Sequence, residues 1–125
     1  MKSLDENMMK NLSFPDFNVE KIEFFPEQKS LKIFVEGAWL DIDGGHPLGK
    51  GVLCFNEWEQ LSISRFNPDT EKWSKTSALI TEQLNNICEM KFSASTIYLY
   101  GFGQQIGHWM EWKILKAKAH AEFSD

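Results

Sequence analysis

Apolar residues in this chain recur at every second position, over stretches too short to be helices. Val19–Phe25 alternates and stops at Pro26, and Leu31, Ile33 and Val35 follow the turn-like residues 26–30. Thr96–Phe102 and residues 108–123 repeat the pattern near the C-terminus. A period of two turns one face of a strand inward. Short links between such strands make neighbours antiparallel, because parallel strands need long crossovers. The pattern therefore predicts an α+β fold that is mainly β. Its expected form is a mostly antiparallel sheet, sandwich or partial barrel of about six strands with one principal helix.

Two phase changes interrupt the alternation. After Gly37 the apolar positions become Leu40 and Ile42, which predicts a β-bulge at the glycine. In the last strand the set Met110, Trp112, Ile114 gives way to Ala117, Ala119, Ala121, which predicts a second bulge near Leu115. Residues 52–55 read as a short buried strand, and Leu61, Ile63 and Phe66 as another that ends in the turn Asn67-Pro68-Asp69. Residues 77–90 form the helix candidate. Ile80, Leu84, Ile87 and Cys88 fall on one helical face and Ser77 supplies an N-cap, although residues 78–80 also fit a strand extension. Residues 1–13 are polar and aperiodic and read as a flexible N-terminal arm, leaving 14–125 as a single globular domain.

Charge narrows the choice of partner. The net charge is −5. Residues 1–60 hold 11 Asp/Glu against 6 Lys, whereas residues 61–125 hold 7 acids and 7 bases, so the excess lies in the first half. Arg65 is the single arginine. Nucleic-acid binders use a basic face and forked guanidinium donors, so a nucleic-acid partner is disfavoured and a basic protein partner suits the chain better. No apolar run approaches the roughly 20 residues of a membrane-spanning helix. Acidic and amide residues at positions 5–7 stand where a signal peptide would have its apolar segment, so a cytoplasmic location is expected. There Cys54 and Cys88, both within apolar patterns, are expected as buried thiols rather than a disulfide.

No motif assembles a catalytic or metal centre, and neither an enzyme activity nor a cofactor is expected. Gly101-Phe102-Gly103-Gln104-Gln105-Ile106-Gly107 is one residue too long for a dinucleotide fingerprint and leads into a strand, so it reads as a hairpin turn. A calcium loop starting at Asp41 would need a glycine and an acid where His46 and Val52 stand. His46, His108 and His120 show no metal-ligand spacing. Burial within residues 52–55 would suppress thiolate formation at Cys54. What remains of an enzymatic reading is His46 or His108 acting beside Glu111 as general acid or base. Trp39, Tyr98, Tyr100, Phe102, Trp109 and Trp112 lie on or beside expected strands and form either a sheet core or a stacking wall. The wall reading gives a small-ligand site of Trp39, His46, Tyr100 and Trp109 beside the Gly-rich loop 43–51.

Several short motifs carry a family resemblance. They are Phe14-x-Asp16, Val19-x-x-Ile22-x-Phe24, Leu31-x-Ile33-x-Val35 and Leu53-x-Phe55 with Trp58, followed by Leu61-x-Ile63-x-x-Phe66-Asn67. The C-terminal half adds Leu84-x-x-Ile87-Cys88-Glu89, Leu99-x-Gly101-Phe102-Gly103 and Gly107-x-Trp109-x-Glu111-Trp112. Over residues 14–123 the chain resembles small immunity proteins of bacterial polymorphic toxin systems, with the loop 43–51 a departure. The resemblance implies a strand-rich, non-catalytic scaffold that binds and blocks a toxin through a variable surface. Combined with the charge asymmetry, it makes Asp41, Asp43, Glu57 and Glu59 the expected contacts to a basic partner.

Overall fold

A computed structural model describes residues 2–76, 82–105 and 107–124. Its strands are β1 (Lys2–Leu4), β2 (Leu12–Ser13), β3 (Val19–Phe25), β4 (Ser30–Val35), β5 (Ala38–Leu40), β6 (His46–Leu48), β7 (Gly51–Asn56), β8 (Gln60–Asn67), β9 (Lys72–Thr76), β10 (Glu89–Ser93), β11 (Thr96–Phe102), β12 (Trp109–Leu115) and β13 (Lys118–Phe123). Among the described residues there is one short α-helix, α1 (Glu6–Met9), capped by Asp5, whose carboxylate accepts the Met8 N–H. Among the described residues the strands form two five-stranded sheets, ordered β1-β13-β7-β4-β3 and β10-β11-β12-β8-β9, and a three-stranded sheet β2-β5-β6. All pairings are antiparallel. The fold is mainly β, as the alternation predicts.

The two large sheets are joined by a shared corner. β7 pairs with β13 in the first sheet and β8 pairs with β12 in the second, so one long ladder bends as it passes from sheet to sheet. Two residues in the left-handed region make the bend, Glu57 at φ 54° and Lys116 at φ 57°. The Glu59 N–H donates to the Leu115 carbonyl across the corner at 2.8 Å. Inside it, Leu31, Ile33, Leu53 and Phe55 of the first sheet join Leu99, Met110, Trp112 and Ile114 of the second in one buried cluster.

Several expectations are corrected. Residues 2–13 are not an arm: they form β1, α1 and β2, and bury Leu4, Met9 and Leu12. Gly37 marks no bulge. The chain leaves the first sheet after Val35 and joins the third at Ala38, and a Cβ on Gly37 would come within 2.7 Å of the Phe17 ring. The phase change near Leu115 is the corner itself, after which Ala119, Ala121 and Phe123 take over the inward face.

The first five residues of the expected helix 77–90 lie outside the described residues, and the rest are not helical. Residues 82–88 are irregular and Glu89–Ser93 is a strand. Their backbone is satisfied sideways: the Asn85 and Cys88 N–H groups donate to Phe102 and Tyr100, and the Asn85 carbonyl accepts from Val19. The loop 43–51 resolves into the β5–β6 turn, where Gly44 and Gly45 sit at φ 91° and 90°, then β6 and a link bound to Ser124.

Cys54 is 4 % exposed on the outer side of β7, whereas Cys88 is exposed, contrary to the expectation that both are buried. Burial pushes the Cys54 thiol up, against the pull of Lys32. In the native protein a thiol reagent is expected to label Cys88 quickly and Cys54 only after denaturation. Fast native labelling of Cys54 would contradict this placement.

Candidate functional site

Alternation on the second large sheet separates a buried face from an open one. Along β11, Ile97, Leu99 and Gly101 turn inward, while Tyr98, Tyr100 and Phe102 turn outward. On β12 the inward residues are Met110, Trp112 and Ile114, which leaves Trp109, Glu111 and Lys113 outside. β8 departs from the simple reading of its apolar residues: Leu61 and Ile63 are inward, so Phe66 has the opposite parity and faces out.

Register then aligns these outward residues into rows across the strands. Phe102 pairs with Trp109, Trp109 with Phe66, and Phe66 with Trp73, giving a continuous aromatic row over β11, β12, β8 and β9. Phe102 and Trp109 meet edge to face at 5.1 Å and 81°, and Phe66 and Trp73 are tilted at 5.4 Å and 56°. The ends of the row stand open, with Phe102 43 % and Trp73 52 % exposed. A second row, Glu89, Tyr100, Glu111, Ser64 and Lys75, lies beside it and is polar. Burial, then the nearby Glu111, pushes the Tyr100 phenol up from its ordinary value. Beyond it Tyr98 stacks on Tyr100 at 6.0 Å and Lys113 sits 5.7 Å from the Tyr98 ring.

Beneath the aromatic row lies a buried polar cluster. The Glu82 side chain, 2 % exposed, accepts from Arg65 at 3.2 Å and meets His108 Nδ1 at 3.0 Å through Oε1, while Oε2 accepts the Gln105 N–H at 3.0 Å. Burial alone would raise the Glu82 carboxyl. The hydrogen bonds from His108, Gln105 and Arg65, and then the charge at His108, outweigh it and hold the group below the usual carboxylate range. A carboxyl lowered by folding contributes stability above its unfolded value of about 4.3, and loses it as pH falls through the folded value. Glu82→Gln is therefore expected to be less stable than wild type at neutral pH and to lose less on acidification. Parallel acid limbs for the two proteins, followed by fluorescence, would contradict the assignment.

The sequence-derived candidates fall on different parts of the fold. Asp41 and Asp43 lie in the β5–β6 turn of the small sheet, and Glu57 and Glu59 at the corner between the large sheets. Lys118 holds Glu57 at 2.9 Å and Lys116 holds Glu59 at 3.1 Å, so half of the expected acidic patch is neutralised on the spot. The small-ligand set divides likewise: Trp39 and His46 belong to the small sheet, Tyr100 and Trp109 to the open face. Trp112 is in the core. His108 meets Glu82 rather than Glu111, which faces outward between Tyr100 and Ser64. A cleft of about 700 Å³ between Phe14, Asp16 and Phe17 and Asn86 and Cys88 contains none of the candidate binding residues. Among the described residues no helix is long and apolar enough to cross a membrane.

Comparison with protein-family models, with characterised proteins and with solved structures finds no match. The open face of the second sheet is the part of the molecule whose geometry most needs a functional explanation. Phe66 and Trp73 lie outside the set that the sequence suggests; the parity of Phe66 against Leu61 and Ile63 is the signal that could have found the first of them.

Proposed function

We propose that this chain is a non-enzymatic protein-interaction module whose partner docks on the open face of the second sheet. The observation that carries the reading is the aromatic row Phe102–Trp109–Phe66–Trp73 with its polar neighbours. Apolar side chains gathered in one exposed patch mark interaction surfaces more often than isolated ones do. Tyr, Trp and Phe are also the residues that interfaces concentrate at their centres, with a polar rim around them. The rings stand in a row across four strands of one sheet face, an arrangement that suits a protein surface better than the enclosing pocket a small molecule takes. The steep ring angles also argue against a flat stacking platform for a sugar or a base. The resemblance to immunity proteins names the partner class: a toxin, blocked by occlusion. On this reading the acidic first half steers the encounter at long range, with Asp41 and Asp43 more effective than the lysine-paired Glu57 and Glu59.

Co-expression with the product of the neighbouring gene tests the immunity reading. If that product arrests growth, the wild-type chain is expected to restore it, and a variant with Trp73, Phe102 and Trp109 changed to Ala is expected to fail while remaining folded and soluble. Rescue by the triple variant would remove the open face from the mechanism.

A further inference from the structure

The aromatic row and the buried cluster beneath it are linked residue by residue. Arg65 precedes Phe66 on β8, and the two project to opposite sides of the sheet. His108 precedes Trp109, and Gly103 follows Phe102, at the two ends of the β11–β12 hairpin. Arg65 and His108 bind Oε1 of Glu82. Gly103 lies so close to Oε2 that a Cβ there would collide with it, and the Gln105 N–H donates to the same oxygen. Three of the four aromatic residues are therefore chain neighbours of a group seated on one carboxylate. The fourth, Trp73, is reached through its contact with Phe66.

We propose that Glu82 is the positioning residue of the docking face, fixing β8 and the β11–β12 hairpin in the register that makes the aromatic row continuous. This rests on the reading of the open face as a docking surface. A carboxylate suits the task because it accepts from several donors at once, and charge-assisted hydrogen bonds are shorter and stronger than neutral ones. Among the described residues the charged and titratable groups that face it are Arg65 from β8 and His108 from the hairpin. A Gln at this position keeps the shape but replaces one acceptor oxygen by a donor, so one of the three donors must lose its partner. The backbone of the hairpin then has less to hold it, and the local opening of residues 101–109 becomes easier.

Hydrogen exchange on the intact chain tests the proposal without any partner. In Glu82→Gln the amides of residues 64–66 and 101–109 are expected to exchange about 10-fold faster or more relative to those of β4 and β7, which accelerate only by the loss of global stability. Acceleration of the same size in both sheets, or none at all, would overturn it, because a merely structural group would loosen the whole molecule evenly. If Glu82→Gln does not fold, His108→Ala and His108→Asn replace it: Ala is expected to loosen the hairpin, and Asn, which keeps a donor near the Nδ1 position, to restore protection. Equal exchange in the two His108 variants would likewise overturn the proposal. For the partner found by co-expression, Glu82→Gln is expected to weaken binding about 10-fold under conditions where the variant is folded. Unchanged affinity would refute the positioning role. A loosened hairpin combined with a partner footprint elsewhere would leave the role of Glu82 in the fold intact and sink the docking reading instead.

Discussion

Trp112→Ala is expected to lower the folding free energy by about 3–5 kcal/mol, enough to unfold a domain of ordinary stability at moderate temperature. The ring is fully buried, in register with Leu99 on one side and Ile63 on the other, at the centre of the second sheet's inner face. Removing it empties a large volume that rigid strand pairs on both sides cannot refill. Trp112→Phe keeps most of that volume and is expected to cost less than the Ala variant; among the described residues the indole N–H has no hydrogen-bond partner to lose. Trp73→Ala, by contrast, removes a half-exposed ring and one tilted contact to Phe66, and is expected to cost about 1 kcal/mol or less. Chemical denaturation of the three variants measures the difference. A loss for Trp73→Ala as large as that for Trp112→Ala would contradict this assignment of the inner and outer faces.

That contrast is the part of the fold that alternation makes legible. Leu31, Ile33 and Val35, or Leu99 beside Tyr98 and Tyr100, declare two faces without any knowledge of what lies across the sheet. Other elements give no such signal. Leu4, Met9 and Leu12 are buried from three different elements at irregular spacing, so no period exposes the N-terminal segment as structure. β9 is an edge strand with Lys72, Ser74 and Lys75 around a single Trp, and reads as polar loop. The spacing of Leu84 and Ile87 imitates a helix because both residues are buried, yet their neighbours' backbone groups bind β11 and Val19.

The site was half legible for a related reason. Tyr100, Phe102 and Trp109 could be suspected from strand position alone. Their union with Phe66 and Trp73 depends on register between strands far apart in sequence. Arg65 and His108 lie 17 and 26 residues from Glu82 along the chain, and no local pattern connects the three. Charge along the chain points to Asp41, Asp43, Glu57 and Glu59 but says nothing of the lysines that β13 and its corner bring to two of them.

The second large effect concerns binding. Changing Trp73, Phe102 and Trp109 together to Ala is expected to weaken the partner complex by at least about 100-fold, because aromatic anchors at the centre of an interface each commonly contribute about 2 kcal/mol or more. Charge reversal at Asp41 and Asp43 is expected to slow association and make it less sensitive to salt, with a smaller effect on dissociation. The aromatic variant should show the opposite balance, with most of its loss in a faster dissociation rate. If the acidic variants abolished binding and the aromatic variant kept wild-type affinity, the acidic turn would replace the open face as the contact.

A hydrogen-exchange footprint of the chain with and without its bound partner addresses the docking surface most directly. Protection is expected in β8, β9, β11 and β12, over residues 62–66, 72–75, 98–102 and 109–113, with the outer face of β3, β4 and β7 unchanged. Protection confined to the β5–β6 turn around Asp41 and Asp43, or to the Glu57–Lys118 corner, with the aromatic row left as open as in the free protein, would contradict the account.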